Sequence, residues 1–261
     1  MPTVSIITPC YNQGAFIQET IDSVLSQEFK DFEYIIVNDG STDDYTNEKL
    51  KSVSHPKIRV IHTKNQGLAS ARNTAIENAA GEIILPLDSD DTIGKHYTQE
   101  AIKVLEKDSD VGIVYCIAEL FGEQKGVWEL PDYTLEKMLM NNQIFHCAFF
   151  RKKDWQTAGG YNPNMVFGWE DWDFWLSIIE LGRKVHRLPG VHHQYRIREN
   201  SMVRQMQLEH RIAMRAQVMK NHSKLYIDNS DILAKIVEDY QKPFKDVLWT
   251  KVKNRLSLSK T

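Results

Sequence analysis

The chain has 261 residues, of which 42% are apolar and 26% charged, an ordinary globular composition for one large domain, or one domain with an appendage, around a real core. Its formal net charge of -3 leaves no basic footprint for nucleic acid, and no run approaches the roughly 18 apolar residues of a membrane span. Met1-Pro-Thr leads straight into a strand-like run and not into a charged, then apolar, leader, so a cytosolic protein is expected, with Cys10, Cys116 and Cys147 as reduced core residues.

Thr3 to Thr8 is a β-branched run broken by the turn formers Pro9-Cys-Tyr-Asn-Gln-Gly14. Apolar residues on one face predict a helix over 15–27, followed by a buried strand Glu33 to Val37 that ends in Asn38-Asp-Gly-Ser-Thr-Asp43. A strand over Ile58 to His62, a polar loop Thr63 to Gly67 and a helix from Leu68 to Ala80 repeat the unit. The next strand, Ile83 to Leu87, is almost purely apolar and stops abruptly at Asp88, Asp90 and Asp91. Strands alternating with helices mean right-handed crossovers and a parallel sheet, whose polar strand ends share one edge. Thr8, Asn12, Asp39, Asn65, Arg72 and the aspartate cluster are therefore expected to meet in one crevice.

Three carboxylates in four residues repel one another unless a cation or a polar ligand lies at the strand end. A solvated turn that caps the next helix explains the same residues, because Asp and Ser favour both roles. No glycine-rich phosphate loop follows the first strand, so a nicotinamide or P-loop reading lacks its central feature.

Beyond Asp91 the pattern predicts a helix over Lys95 to Lys107 and a strand over Val111 to Tyr115. It then predicts a hairpin turn at Gly122 to Gly126, a short helix from Thr134 to Met140, a strand from Ile144 to Phe150 and a loop at Ala158 to Pro163. Trp172, Trp175, Leu176 and Ile179 recur at helical spacing, so a helix runs from Glu170 to Gly182. Glu170, Asp171 and Asp173 fall in its first turn, where the helix dipole favours acids. One of them facing the crevice is also suited to general-base work, and the two roles are compatible.

Strands are expected over Val185 to Leu188 and Val191 to Ile197, and the following loop offers Arg196, Arg198 and Ser201 either to phosphate oxygens or to solvent. His192 and His193 read as packing and surface residues before metal ligands. The remaining chain is helical with an interruption near Tyr226 to Asp231, and its basic, one-sided stretch Lys242 to Leu256 suits packing, self-association or contact with an anionic membrane face.

Five motifs occur together and in order: Val4-Ser-Ile-Ile-Thr-Pro-Cys-Tyr-Asn12, Val37-Asn-Asp-Gly-Ser-Thr-Asp43, Asn65-Gln-Gly-Leu-Ala-Ser-Ala-Arg-Asn73, Leu87-Asp-Ser-Asp-Asp91 and Trp169-Glu-Asp-Trp-Asp173. Over residues 3 to 202 the chain resembles an inverting nucleotide-sugar glycosyltransferase of family 2. The resemblance implies a GT-A fold, an α/β architecture with a mostly parallel sheet flanked by helices, over residues 1–202. Of these, 1–116 form the nucleotide half and 117–202 the acceptor half, with a helical extension over 203–261.

It further implies that Thr8, Pro9, Tyr11, Asn12 and Asp39 line the nucleoside pocket, with Asp39 accepting from the base. Asn65, Gly67, Arg72 and Ser89 border the base and diphosphate. Asp88 faces ribose or donor sugar, and Asp90, with Asp88, holds Mn²⁺ or Mg²⁺. Asp171 is the catalytic base and Glu170 its neighbour at the acceptor. The expected partners are a nucleoside-diphosphate sugar, with a leaning to UDP, and a glycan or lipid-linked acceptor around Val127 to Tyr133 and Tyr161 to Trp169. The family often carries Tyr-Arg-x-His-x-x-Ser after its last strand, whereas Tyr195-Arg-Ile-Arg-Glu-Asn-Ser201 places Arg198 at the histidine, so an arginine on the diphosphate is expected. A nucleotide-sugar binding subunit without turnover, and a phosphoryl-transfer enzyme built on Asp88 and Asp90, are the competing readings.

Overall fold

The computed structural model describes residues 1–128, 130–199 and 201–238, so the basic stretch Lys242 to Leu256 lies outside the described residues. The first half runs β1 (Val4–Cys10), α1 (Ile17–Leu25), β2 (Phe32–Asp39), α2 (Asp44–Ser52), β3 (Ile58–Thr63), α3 (Leu68–Glu77) and β4 (Ile83–Pro86). Then come β5 (Thr92–Ile93), α4 (Tyr97–Lys107), β6 (Val111–Gly122), β7 (Gly126–Trp128), α5 (Leu135–Met140), β8 (Phe149–Arg151) and α6 (Lys152–Ala158). The last elements are α7 (Glu170–Glu180), β9 (Lys184–Ile197), α8 (Met202–Gln205), α9 (Leu208–Asn221) and α10 (Ser223–Asp228). Residues 231–238 are helical again.

The strands form one sheet in the order β3-β2-β1-β4-β8-β6-β9-β5, with β7 paired to β6. β3, β2, β1 and β4 are mutually parallel, β8 runs antiparallel to both β4 and β6, and β9 returns parallel to β6. The parallel half agrees with the crossover argument, and its central strands β1 and β4 are buried at every position. A strand covered on both faces gains from apolar residues at successive positions, which is why these stretches lack a polar alternation. Cys10, Cys116 and Cys147 are buried and free.

Several expected elements differ. α2 follows no apolar stripe, since only Thr46 and Leu50 of it are buried; what starts it is a cap, the Asp43 carboxylate accepting from Thr46 N at 2.7 Å. The strand expected over Ile144 to Phe150 forms only at Phe149–Arg151, because residues 144–146 turn aside to line a cavity. β6 continues to Gly122 and β9 is one strand of 14 residues, since each supplies the other's hydrogen bonds through three register shifts. α6 is too short for periodicity to reveal.

The turn from α3 into β4 passes so close to β1 that a Cβ at Gly81 would lie 2.6 Å from Ser5 N and 2.7 Å from the Val4 carbonyl carbon. Gly81 N also donates to Ser5 Oγ at 2.8 Å. Gly81→Ala therefore forces backbone apart and is expected to cost about 1–3 kcal/mol, read as a lower urea midpoint. An unchanged midpoint would refute the close approach.

Candidate active site

The carboxyl ends of β1, β2 and β4 open into a cavity of about 900 Å³. Pro9, Tyr11, Asp39, Asn65, Gly67, Arg72, Asp88, Ser89 and Asp90 line one side, and Glu170, Asp171, Arg196, Arg198 and Ser201 also reach it. Two residues expected in the pocket do not line it. Thr8 is fully buried, and its hydroxyl accepts from Tyr34 Oη at 2.9 Å, because the alternation of β1 turns it into the sheet interior. Asn12, in the left-handed region at φ 54°, instead clamps the next loop: its Oδ1 accepts from Thr42 N at 2.8 Å and its Nδ2 donates to Thr42 Oγ1 at 3.0 Å.

Asp39 is at the cavity, but its carboxylate also builds the wall. It accepts from the backbone amides of Gln66 and Gly67, both at 2.9 Å, and from Thr63 Oγ1 at 3.2 Å, while Asn65 Nδ2 donates to its carbonyl at 3.0 Å. Gly67, at φ 85°, then starts α3, which delivers Arg72 one turn later.

Arg72 is 1% exposed, and its guanidinium joins two distant parts of the chain. One nitrogen donates to Asp88 Oδ1 at 2.7 Å and another to Glu170 Oε1, while the Tyr161 ring lies 5.5 Å away. The first turn of α7 divides three tasks among its acids. Glu170 pairs with Arg72, and Asp173 turns to the C-terminal helices, where Asn221 Nδ2 donates to it at 2.7 Å and His222 Nε2 lies 3.3 Å away. Asp171 faces the cavity, with Oδ1 accepting from Trp172 N at 2.8 Å and Oδ2 from Asn142 Nδ2 at 3.0 Å. Gly168 at φ 114° and Trp169 at φ 64° turn the chain sharply into this helix, a strained backbone of the sort found at working sites. Burial and the neighbouring Glu170 carboxylate push the Asp171 carboxyl up to about 6.

The aspartates after β4 also divide. Asp90 pairs with Arg198 at 2.7 Å, and burial together with Asp91 and Asp88 pushes its carboxyl up to about 7. Arg198 and Arg196 share the face of Phe16, with guanidinium carbons 5.0 and 4.8 Å from the ring centroid. Arg196 is held further by Glu19 at 2.8 Å and by the Asp90 carbonyl, which accepts from its Nε at 2.8 Å.

Asp91, 1% exposed, turns inward to two histidines. His193 Nε2 lies 2.9 Å and His146 Nε2 3.3 Å from Asp91 Oδ2, and Asp91 Oδ1 accepts from Arg196 N at 2.8 Å. Burial disfavours the His146 imidazolium, but Asp88 and Asp91 outweigh it and raise the group to about 9. Thus His193 packs, as expected of it, but packs against a carboxylate, whereas His192 stacks on Tyr97 at 5.5 Å. His146 escaped the sequence reading because it sits within an apolar run, and only its polarity inside that run could have marked it.

The family model for glycosyl transferase family 2 matches residues 5–167, which carry β1 to β8 and α1 to α6. The chain belongs to glycosyltransferase family 2. The family 2 chain is 31% identical over 192 residues to a chondroitin synthase of Pasteurella multocida, covering 71% of this chain but 20% of that protein. It is 32% identical over 219 residues to EpsJ, an uncharacterized glycosyltransferase of Bacillus subtilis, covering 77% of this chain and 63% of EpsJ. The chain thus spans less than two thirds of either relative. Among solved structures, residues 1–349 of Staphylococcus aureus TarS in complex with UDP superpose with a TM-score of 0.71 at 20% identity, over 93% of this chain and 72% of that one. That likeness shows the fold, a GT-A fold with C-terminal helices.

Removing one partner of the buried triad strands the others. Arg72→Met leaves Glu170, 5% exposed, without its cation. A loss of about 3–5 kcal/mol is expected, measured by denaturant unfolding. Wild-type stability in this variant would mean that the triad contributes nothing to the fold.

Proposed function

We propose that the chain moves a sugar from a nucleoside-diphosphate donor, a UDP-sugar, to a hydroxyl of a glycan or lipid-linked saccharide, with inversion at the anomeric carbon. The observation that carries this reading is that one cavity is bordered both by Asp88 and Asp90 and by Asp171. TarS was solved with UDP and, at the same TM-score of 0.71, with UDP-GlcNAc, and relatives include chondroitin and hyaluronan synthases. Both findings favour a UDP-sugar and a polysaccharide acceptor.

The nucleoside is assigned to the wall made by Pro9, Tyr11, Asp39, Asn65 and Gly67. Asp39 spends hydrogen bonds on that wall, so its role toward the base is as much to shape the pocket as to contact it. Arg196, Arg198 and Ser201 border the same cavity, where guanidinium groups complement diphosphate oxygens.

The acidic cluster fits a divalent cation, because Asp88 and Asp90 bring two carboxylates together on the cavity lining, where a cation would relieve their mutual repulsion. Asp88 and Asp90 border the cavity there, and Mn²⁺ or Mg²⁺ bound there supplies Lewis-acid stabilisation of the charge growing on the leaving phosphate.

Asp171 removes the acceptor's proton. The acceptor oxygen bonds to the anomeric carbon as the bond from that carbon to the phosphate oxygen breaks, and the proton passes to the Asp171 carboxylate. Trp172 N and Asn142 hold the two carboxylate oxygens in place, while Arg72 draws Glu170 away from the reacting proton.

Asp171→Asn keeps the shape but cannot take a proton, so transfer is expected to fall by about 10²–10⁴-fold while calorimetry shows unchanged UDP affinity. Near-normal turnover would reject the base. The base works ionised, and its carboxyl lies at about 6. Turnover should therefore be flat above that pH and fall about tenfold per unit below it. A profile flat to pH 4 would point to a different proton acceptor.

A further inference from the structure

Arg196 and Arg198, at the end of β9, both lie against the Phe16 ring, but they are held differently. Arg196 is a fixture. Its backbone N–H donates to Asp91 Oδ1, its Nε to the Asp90 carbonyl and a terminal nitrogen to Glu19, each at 2.8 Å, and its guanidinium carbon lies 4.2 Å from the Phe121 ring centroid. Arg198 rests on an ion pair from Nη2 to Asp90 Oδ2 at 2.7 Å, and its Nε is buried with no hydrogen-bond partner among the described residues. A guanidinium is a planar fork of N–H donors, and a buried donor left unmet costs free energy. The pair with Asp90 leaves Nε unmet, whereas two oxygens of a diphosphate, taken bidentately, would meet both Nε and a terminal nitrogen. The pair is also open to exchange. Its side chains are 24% and 15% exposed at the cavity lining, where an ion pair is weak, while Arg72 is 1% exposed and pinned between Asp88 and Glu170.

We propose that Arg198 is a donor-binding residue that changes partner: Asp90 holds it until the cation takes that carboxylate, and the released guanidinium then binds the diphosphate, while Arg196 stays in the wall. The inference rests on the cation-assisted transfer above, keeps the cation on Asp88 and Asp90, and gives the diphosphate contact to one of the two arginines. Its physical basis is that a guanidinium and a divalent cation on one carboxylate repel each other. The Phe16 face attracts a cation whichever way the fork is turned in the plane above it, so it is a surface on which the guanidinium can swing. Cation and nucleotide then favour each other, since the cation frees Arg198 for the diphosphate and the diphosphate draws Arg198 off the cation's ligand, a coupling that is reciprocal by linkage.

The test is UDP binding to the full chain by calorimetry, in a cycle of Asp90→Asn, Arg198→Gln and the double variant. In the presence of a chelator, Asp90→Asn releases Arg198 without a metal, so UDP is expected to bind about fivefold more tightly than to the wild type. In the Arg198→Gln background the same substitution is expected to change the affinity by less than about twofold. Mere loss of a negative charge beside the diphosphate would tighten binding equally in both backgrounds, and the cycle separates the two causes. With Mn²⁺ present, Arg198→Gln alone is expected to bind UDP about tenfold more weakly. No gain in Asp90→Asn, an equal gain in both backgrounds, or an unchanged affinity of Arg198→Gln in Mn²⁺ would each overturn the assignment. Should the Asp90 variant not fold, Mn²⁺ binding without nucleotide, followed by the free-ion spin resonance, reads the same contest: Arg198→Gln is expected to hold Mn²⁺ about fivefold more tightly, and an unchanged affinity overturns the exchange. A wild type that binds UDP with Mn²⁺ while the cycle shows no coupling sinks the role of Arg198 and leaves the proposed transfer standing. A wild type that binds no UDP in either condition sinks both.

Discussion

The buried guanidinium of Arg72 is the constraint on which the site depends. It joins Asp88, at the end of the central parallel strand, to Glu170, at the start of the helix that carries Asp171. These partners lie 16 and 98 residues away along the chain. Taking a guanidinium and two carboxylates out of water is expensive, and such a cluster is seldom a net source of stability. What it provides is register, because a planar donor with fixed directions accepts only one arrangement of the two acids. The placement of Asp88 relative to the helix that carries Asp171 is thereby set by one side chain.

The same economy recurs at the first turn of α7, where three consecutive-turn acids serve three different neighbours. Glu170 answers Arg72, Asp171 is left for the cavity, and Asp173 ties the helix to Asn221 and His222 of the C-terminal elements. An acidic first turn is stabilised by the helix dipole whichever way its side chains point, so the fold tolerates all three while tertiary contacts assign them. The aspartates after β4 follow the same rule, with Asp88 and Asp90 toward arginines at the cavity and Asp91 toward histidines in the interior.

Much of the first half was legible from residue order. Apolar runs ending in Asn-Asp-Gly or Asp-Ser-Asp-Asp mark buried parallel strands whose ends must be polar, and the structure puts those ends on one cavity. The second half was harder to read for physical reasons. Residues 144–146 belong to a run with the composition of a strand, but they bend to form the cavity wall, and no local pattern distinguishes an apolar wall from an apolar strand. α2 begins on a single capping carboxylate, a signal that competes with the ordinary use of Asp in turns. Thr8 and Asn12 stand at the end of the first strand, yet the strand's alternation buries one and a left-handed turn commits the other to a neighbouring loop.

Residue order by itself determined the family motifs, the parallel crossover half and the concentration of carboxylates after β4, because periodicity and turn chemistry are local and each acts within a few residues. Only the tertiary structure decided which acid of each cluster meets an arginine, a histidine or the cavity. Those choices depend on partners tens of residues away, such as His146 and His193 for Asp91 and Asn142 for Asp171. A side chain's charge is written in the sequence, but its neighbours, and hence its chemistry, are set by where the sheet and helices bring the chain back upon itself.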